Sequence, residues 1–213
     1  MVDSVNLIHC TPDAEKLLVY IARVSNPESA SKGEREENLI RYLIKHGHWS
    51  PFEMVSACVE INTSREIGRQ LLRHRSFSFQ EFSQRYASPD AATYIREPRK
   101  QDLKNRQNSI PDVLNEKIVR EWKDRQRMSH DQAMEDYIWA LDNDIAKECA
   151  RAVLPEGITP TRLYMHGSLR SWIHYLKARL DPSTQREHRA VAEEISLLLS
   201  KSFPLTWKAL ELG

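Results

Sequence analysis

A chain of 213 residues is long enough to bury one sizeable core, and 31 basic residues against 30 acidic ones leave a net charge of only +1. That balance excludes a protein working through a general basic field on nucleic acid or on an anionic membrane surface, so recognition has to come from local clusters of charge. Cys10, Cys58 and Cys149 have no CxxC spacing and are odd in number, which reads as reduced thiols in a cytoplasmic protein. The first residues lack an apolar signal core, and no apolar run is long enough to cross a bilayer.

In chain order, the first predicted helix covers residues 12–23. A second covers 36–45, where Leu39, Ile40, Leu43 and Ile44 fall at helical spacing before a stop at Gly47. Residues 54–62 carry Val55, Ala57, Val59 and Ile61 at period two, the pattern of a strand with one apolar face. Thr63 and Ser64 then offer a cap for a helix carrying Ile67, Leu71 and Leu72 that ends near Arg73. Residues 87–111, rich in Pro, Asp, Arg and Asn, read as a loop or lid with a short strand at Tyr94-Ile95.

From 111 to 148 the pattern is helical, with Leu114, Ile118, Trp122, Met134, Tyr137, Ile138 and Leu141 forming a stripe for the core or for a subunit contact. Residues 160–166 read as a strand, and 168–180 and 185–202 as two more helices. Strands and helices do not alternate as βαβ units. The expected fold is therefore α+β: a single domain over residues 1–213, with a small, mostly antiparallel sheet and several packed helices. The six glycines form neither GxGxxG nor a Walker loop, so a flavin or nucleotide would need a non-Rossmann site.

The densest chemistry lies in residues 70–86. Arginine forks match phosphate oxygens in pairs and stay charged at any cellular pH, so Arg73-His74-Arg75 points to an anionic ligand. The end of the preceding helix carries the negative pole of its dipole, so side chains rather than helix N–H groups would hold that anion. A solvated basic helix end would explain the triplet alone. The continuation argues against this, because Phe77, Phe79 and Phe82 interleave with Ser78, Gln80, Glu81 and Ser83 and mount polar groups on an apolar-anchored segment. His46 and His48 form an HxH pair without further ligands at suitable spacing, so no metal site is expected.

Arg73-His74-Arg75 followed at fixed spacing by Ser78, Ser83 and Arg85 closely resembles the signature of the flavin-dependent thymidylate synthases. The likeness runs from about residue 14 to 205. It includes His48-Trp49-Ser50-Pro51-Phe52-Glu53, Arg151-Ala152-Val153-Leu154-Pro155, Ser168-Leu169-Arg170, His174, Arg179 and Thr184-Gln185-Arg186-Glu187. The resemblance implies reductive methylation of dUMP to dTMP, with methylenetetrahydrofolate as carbon donor and FAD reduced by NADPH as hydride source. It also implies a homotetramer with active sites between subunits.

By the same resemblance, Gln70, Leu71, Leu72, Arg73, Glu81, Phe82, Ser83, Gln84, Arg85, Arg151 and Arg179 look like the dUMP-binding set. Ser50, Glu53, Arg73, His74, Arg75, Gln80, Glu81, Ser168, Arg170 and His174 look like the FAD-binding set. Arg179 matches the catalytic arginine that stabilises negative charge on the pyrimidine. Ser83 has no local base to activate it and goes to nucleotide binding. Gln80 and Ser168 stand where the family often has asparagine, and His174 replaces an amide. Two rivals come from other classes: an RNA-binding module using Arg73, His74, Arg75, Phe77 and Phe79, opposed by Glu81 and the near-neutral charge, and a helical scaffold protein.

Overall fold

In the computed structural model, which describes residues 3–25, 35–87, 93–110 and 114–210, the apolar alternation around Val59 becomes an inner strand of a four-stranded sheet. Its strands are β1 (Ser4–Cys10), β2 (Ser56–Ser64), β3 (Ser78–Glu81) and β6 (Pro160–Ser168), in spatial order β1-β2-β6-β3. A separate two-stranded ladder joins β4 (Lys100–Gln101) to β5 (Ser109–Ile110). Every neighbouring pair is antiparallel, as the α+β reading expects. The β2–β6 register runs unbroken from Ser56 opposite Ser168 to Ser64 opposite Pro160. Its buried pairs Val59–Met165 and Ile61–Leu163 make one face apolar. Glu60 and Tyr164 mark the other face, where the tyrosine hydroxyl donates to the carboxylate at 2.8 Å.

Helices α1 (Ala14–Ala22), α2 (Glu36–Lys45), α3 (Arg65–Leu71), α6 (Leu169–Arg179), α7 (Arg186–Ser202) and α8 (Pro204–Leu210) bring Leu18, Ile40, Ile67, Trp172, Ile195 and Phe203 into one core with the sheet. α4 (Glu116–Asp142) and α5 (Lys147–Ala150) build a smaller cluster around Tyr137, Ala140, Ala150 and Leu154. Glu15 ties the ends of the chain together, its carboxylate accepting the Leu205 and Thr206 N–H groups at 3.1 and 2.6 Å at the start of α8.

Several boundaries differ from expectation for local reasons. The strand expected at 54–62 starts at Ser56, because Ser50–Glu53 form a 3-10 turn first. The single helix expected over 111–148 breaks after Asp142. Asp144 takes a left-handed φ of 59° there, and Ile145 N–H turns back to the Ala140 carbonyl at 2.9 Å. Residues 111–113 of that expectation lie outside the described residues.

Tyr94-Ile95 is not a strand; Tyr94 is buried and its N–H donates to the Ile158 carbonyl at 3.0 Å, while the hairpin β4–β5 supplies the strands of that segment. Within the expected stripe Tyr137 is core, whereas Ile118, Trp122 and Ile138 are exposed. Gly47 ends α2 as expected, with φ at 67°. Among the described residues no helix is long and apolar enough to cross a membrane.

Candidate functional site

The Ser64 side chain accepts the Ile67 N–H at 3.4 Å and so caps the start of α3, which buries Ile67 and Leu71 and stops at the arginine triplet. Two further turns follow, His74 N–H to the Leu71 carbonyl at 3.0 Å and Phe77 N–H to the His74 carbonyl at 3.2 Å. The Phe77 ring is driven into the core against Trp172, with centroids 4.6 Å apart. Anchored at both ends, the triplet faces Arg73 and Arg75 outward, with no carboxylate of the described residues paired to either, and turns His74 inward.

His74 meets Arg179, which stands 105 residues away in the last turn of α6, where the helix dipole favours a cation. The Arg179 Nε–H donates to His74 Nε2 at 3.0 Å. An arginine can only donate, so His74 carries its proton on Nδ1 and is neutral. Burial and the Arg179 charge hold the His74 pKa down to about 4. Behind it, burial, Arg179 and His74 together hold His188 down to about 3. Burial raises the Tyr175 hydroxyl well above its ordinary value. Of the packed group His74, Tyr175, His188 and Arg179, the guanidinium alone is therefore charged at neutral pH.

At the other end of α6 a second polar group assembles. Ser168 caps the helix by accepting the Ser171 N–H at 3.2 Å, and Ser171 Oγ donates to the Ser76 carbonyl at 3.2 Å, which joins this end to the arginine turn. Arg170 Nη1 donates to Glu53 Oε1 at 2.7 Å. The Glu53 carboxyl sits below its ordinary range because Ser168 and Arg170 donate to it, against a smaller effect of burial. His174 lies 4.9 Å from Trp49 between ring centroids. Its pKa is lowered by burial and by the charges of Arg170 and Lys177. Ser50, Glu53, Ser168, Arg170 and His174 thus come from a 3-10 turn and the first turns of one helix, as neighbours.

The remaining expected residues divide. Glu81 is spent within the chain, accepting Thr161 Oγ1 at 2.9 Å and lying 3.5 Å from Arg69 and 3.8 Å from the buried Arg65. Leu71 is wholly buried, so it can meet a ligand only through its backbone, and Leu72 is partly exposed beside it. Gln80 is exposed on the edge strand β3. Phe82 N–H is held by the Arg162 carbonyl at 2.9 Å. Ser83 Oγ accepts the Arg85 N–H at 3.4 Å. Gln84 is buried with its amide nitrogen unpartnered.

Arg85 pairs with Glu148 at 3.2 Å, and Arg151 Nε donates to the Glu148 carbonyl at 3.4 Å. Among the described residues no hydrogen bond or ion pair joins this Arg85–Glu148–Arg151 group to Arg179 and His74. Sequence reasoning gave no role to Gln185, Glu66, His188 or Tyr175. Gln185 lay in a motif that carries no chemistry by itself, and a helix-borne histidine or tyrosine does not announce its neighbours.

Outward cations with no carboxylate paired to them among the described residues, together with the Glu53–Arg170–Ser168 group, are polar groups that suit a large anionic cofactor. On an antiparallel α+β scaffold with no phosphate-binding glycine loop, they are what a non-Rossmann enzyme acting on anionic ligands requires. Residues 6–205 match the family model described as thymidylate synthase complementing protein.

Over 198 residues the chain is 48% identical to a probable flavin-dependent thymidylate synthase of Paramecium bursaria Chlorella virus 1, covering 93% of this chain and 91% of that one. It is 47% identical to the flavin-dependent thymidylate synthase of Synechocystis sp., covering 92% and 89%. The solved UMP/dUMP methylase PolB from Streptomyces cacaoi, bound with 5-Br dUMP, superposes with a TM-score of 0.86 at 31% identity, over 99% of this chain and 95% of that one. The chain belongs to the flavin-dependent thymidylate synthase family.

Proposed function

We propose that this protein reductively methylates dUMP to dTMP, taking the carbon from methylenetetrahydrofolate and the hydride from FAD reduced by NADPH. The observation that carries the reading is Arg179, a half-buried guanidinium whose Nε is engaged by His74, leaving its terminal N–H groups for a ligand. With His74 and His188 held neutral, the positive charge of that pocket is concentrated on one group. Placed against the uracil ring, it stabilises the negative charge that develops there and makes the ring carbon more nucleophilic toward the one-carbon donor. At about 4 Å and an effective dielectric near 20, such an interaction is worth about 4 kcal/mol.

Arg73, Gln70 and Arg179 hold the pyrimidine nucleotide from one side. Ser83, Arg85 and Arg151 hold its phosphate, and Glu81, Phe82 and Gln84 complete the dUMP-binding set. Ser50, Glu53, His74, Arg75, Gln80, Ser168, Arg170 and His174 hold FAD, which supplies a hydride when bound and reduced. By the family resemblance we take the site to lie between subunits, with the Arg85–Arg151 group and the Arg179–His74 group contributed by different chains. Exposed Ile118, Trp122 and Trp139 on α4 support an assembled form, which we take to be the homotetramer. The working unit is one domain over residues 1–213, acting in the cytoplasm.

The test is an anaerobic assay for dTMP with dUMP, methylenetetrahydrofolate, FAD and NADPH, omitting one at a time. Product should require all four. Product formed without FAD, or none with all four, overturns the reading.

A further inference from the structure

Behind the arginine turn lies a hydrogen-bond chain whose direction is forced from one end. Glu66 on α3 and Glu187 on α7 present carboxylate oxygens 3.0 and 3.1 Å from the same atom, Gln185 Nε2. An ionised carboxylate only accepts, so both amide hydrogens of Gln185 are used and its orientation is set. Glu187 stays ionised: burial alone would raise its pKa, but hydrogen bonds from Arg99 and Gln185 hold it down to about 2. Gln185 Oε1 then faces Gln70 Nε2 at 2.7 Å and must accept from it. Gln70 Oε1, left on the other side, accepts from His188 Nδ1 at 3.1 Å, which fixes the histidine as its Nδ1–H tautomer with Nε2 bare. Each step dictates the next, because reversing either amide would set donor against donor or acceptor against acceptor.

The chain ends in the group that surrounds Arg179. His188 is fully buried, its ring centroid 6.2 Å from that of His74 and 5.9 Å from that of Tyr175. Gln70 itself keeps one amide hydrogen and one oxygen lone pair uncommitted, an adjacent donor and acceptor held rigidly beside the arginines. A pyrimidine edge also presents a donor next to an acceptor, so the sense of the Gln70 amide decides whether the two edges match.

We propose that Gln185 and His188 are positioning residues for nucleotide binding, locking the Gln70 amide so that its free donor and acceptor are presented to the pyrimidine in one sense only. This rests on the assignment of Gln70 to the dUMP site. Neither residue touches the reacting atoms; both act through Gln70. The neutral His188 at the inner end of the chain also leaves Arg179 without a second cation beside it.

The experiment measures dUMP dissociation constants by calorimetry on the FAD-loaded protein, with KM and kcat for dUMP and the melting temperature, for the parent protein and for Gln185→Leu, His188→Leu and His188→Asn. Asparagine keeps an N–H donor near the Nδ1 position and leucine does not. Gln185→Leu and His188→Leu should each weaken dUMP binding about ten-fold, the loss of roughly one well-placed hydrogen bond. The rise should appear in KM more than in kcat, and His188→Asn should return to within about three-fold of the parent. Unchanged dUMP affinity in both leucine variants, or a lower melting temperature as the sole effect, overturns the proposal while leaving the function standing. Equal losses in His188→Asn and His188→Leu overturn the donor role of His188. A parent protein that binds no dUMP removes the functional reading and this inference with it.

Discussion

Replacing Gly167 by alanine should loosen the floor of the arginine site. Gly167 is buried on β6, opposite Ala57, and a Cβ built there would stand 2.5 and 2.6 Å from Cδ1 and Cε1 of Phe77. Carbon atoms pack at about 3.5–4.0 Å, so the ring has to retreat by roughly 1 Å. It has little room, since Trp172 lies 4.6 Å and Tyr175 6.0 Å away between centroids. Overpacking of this kind costs about 1–3 kcal/mol. At about 2–4 °C per kcal/mol for a chain of this size, the melting temperature should fall by roughly 2–12 °C at fixed protein concentration.

Phe77 N–H is bonded to His74, so the same displacement should also weaken FAD binding. Chemical denaturation of Gly167→Ala, Phe77→Leu and the double variant, each with a flavin titration, separates the effects. Phe77→Leu shortens the side chain facing residue 167, so the double variant should be less destabilised than the sum of the singles by about 1 kcal/mol or more. Strict additivity, or a Gly167→Ala protein as stable as its parent, would refute the reasoning.

Arg179→Ala should slow dTMP formation by about a thousand-fold, the kinetic equivalent of the roughly 4 kcal/mol ascribed to its charge. Flavin should stay bound by absorbance, and turnover within a few fold of the parent would exclude the proposed role. Glu81→Gln keeps an acceptor for Thr161 but strips the buried Arg65 of its carboxylate, and should cost roughly 3 kcal/mol in denaturant unfolding. A loss under about 0.5 kcal/mol would show that Arg65 is stabilised by other means.

The folded pKa values of about 4 for His74 and about 3 for His188 lie below the ordinary 6.5, so on acidification the unfolded chain takes up protons first. Stability should be full above pH 6.5 and decline as pH falls toward 4 and then 3. For the fully buried His188 the slope is up to about 1.4 kcal/mol per pH unit. His188→Asn should flatten that decline between pH 6 and 4 in a denaturation series, and an unchanged slope would mean that His188 is not kept neutral.

Local periodicity made α2, α6, α7 and β2 legible to within two residues, because a helix or a half-buried strand repeats its apolar residues within its own span. β1 and β3 left no such trace. β1 buries only Val5, and β3 is four residues on the sheet edge, so partner strands rather than their own pattern make them strands. The arginine triplet and its serines stood out as a candidate anion site, since charge and spacing are properties of the chain itself.

What the chain alone could not decide is which of those groups meet. Glu81 proved to be held by Thr161, Arg65 and Arg69, Leu71 proved to be core, and His74 found Arg179 across 105 residues. The neutrality of two histidines and the fixed sense of the Gln70 amide depend on desolvation and on contacts between α3, α6 and α7. Those forces exist only once long-range packing has removed the water.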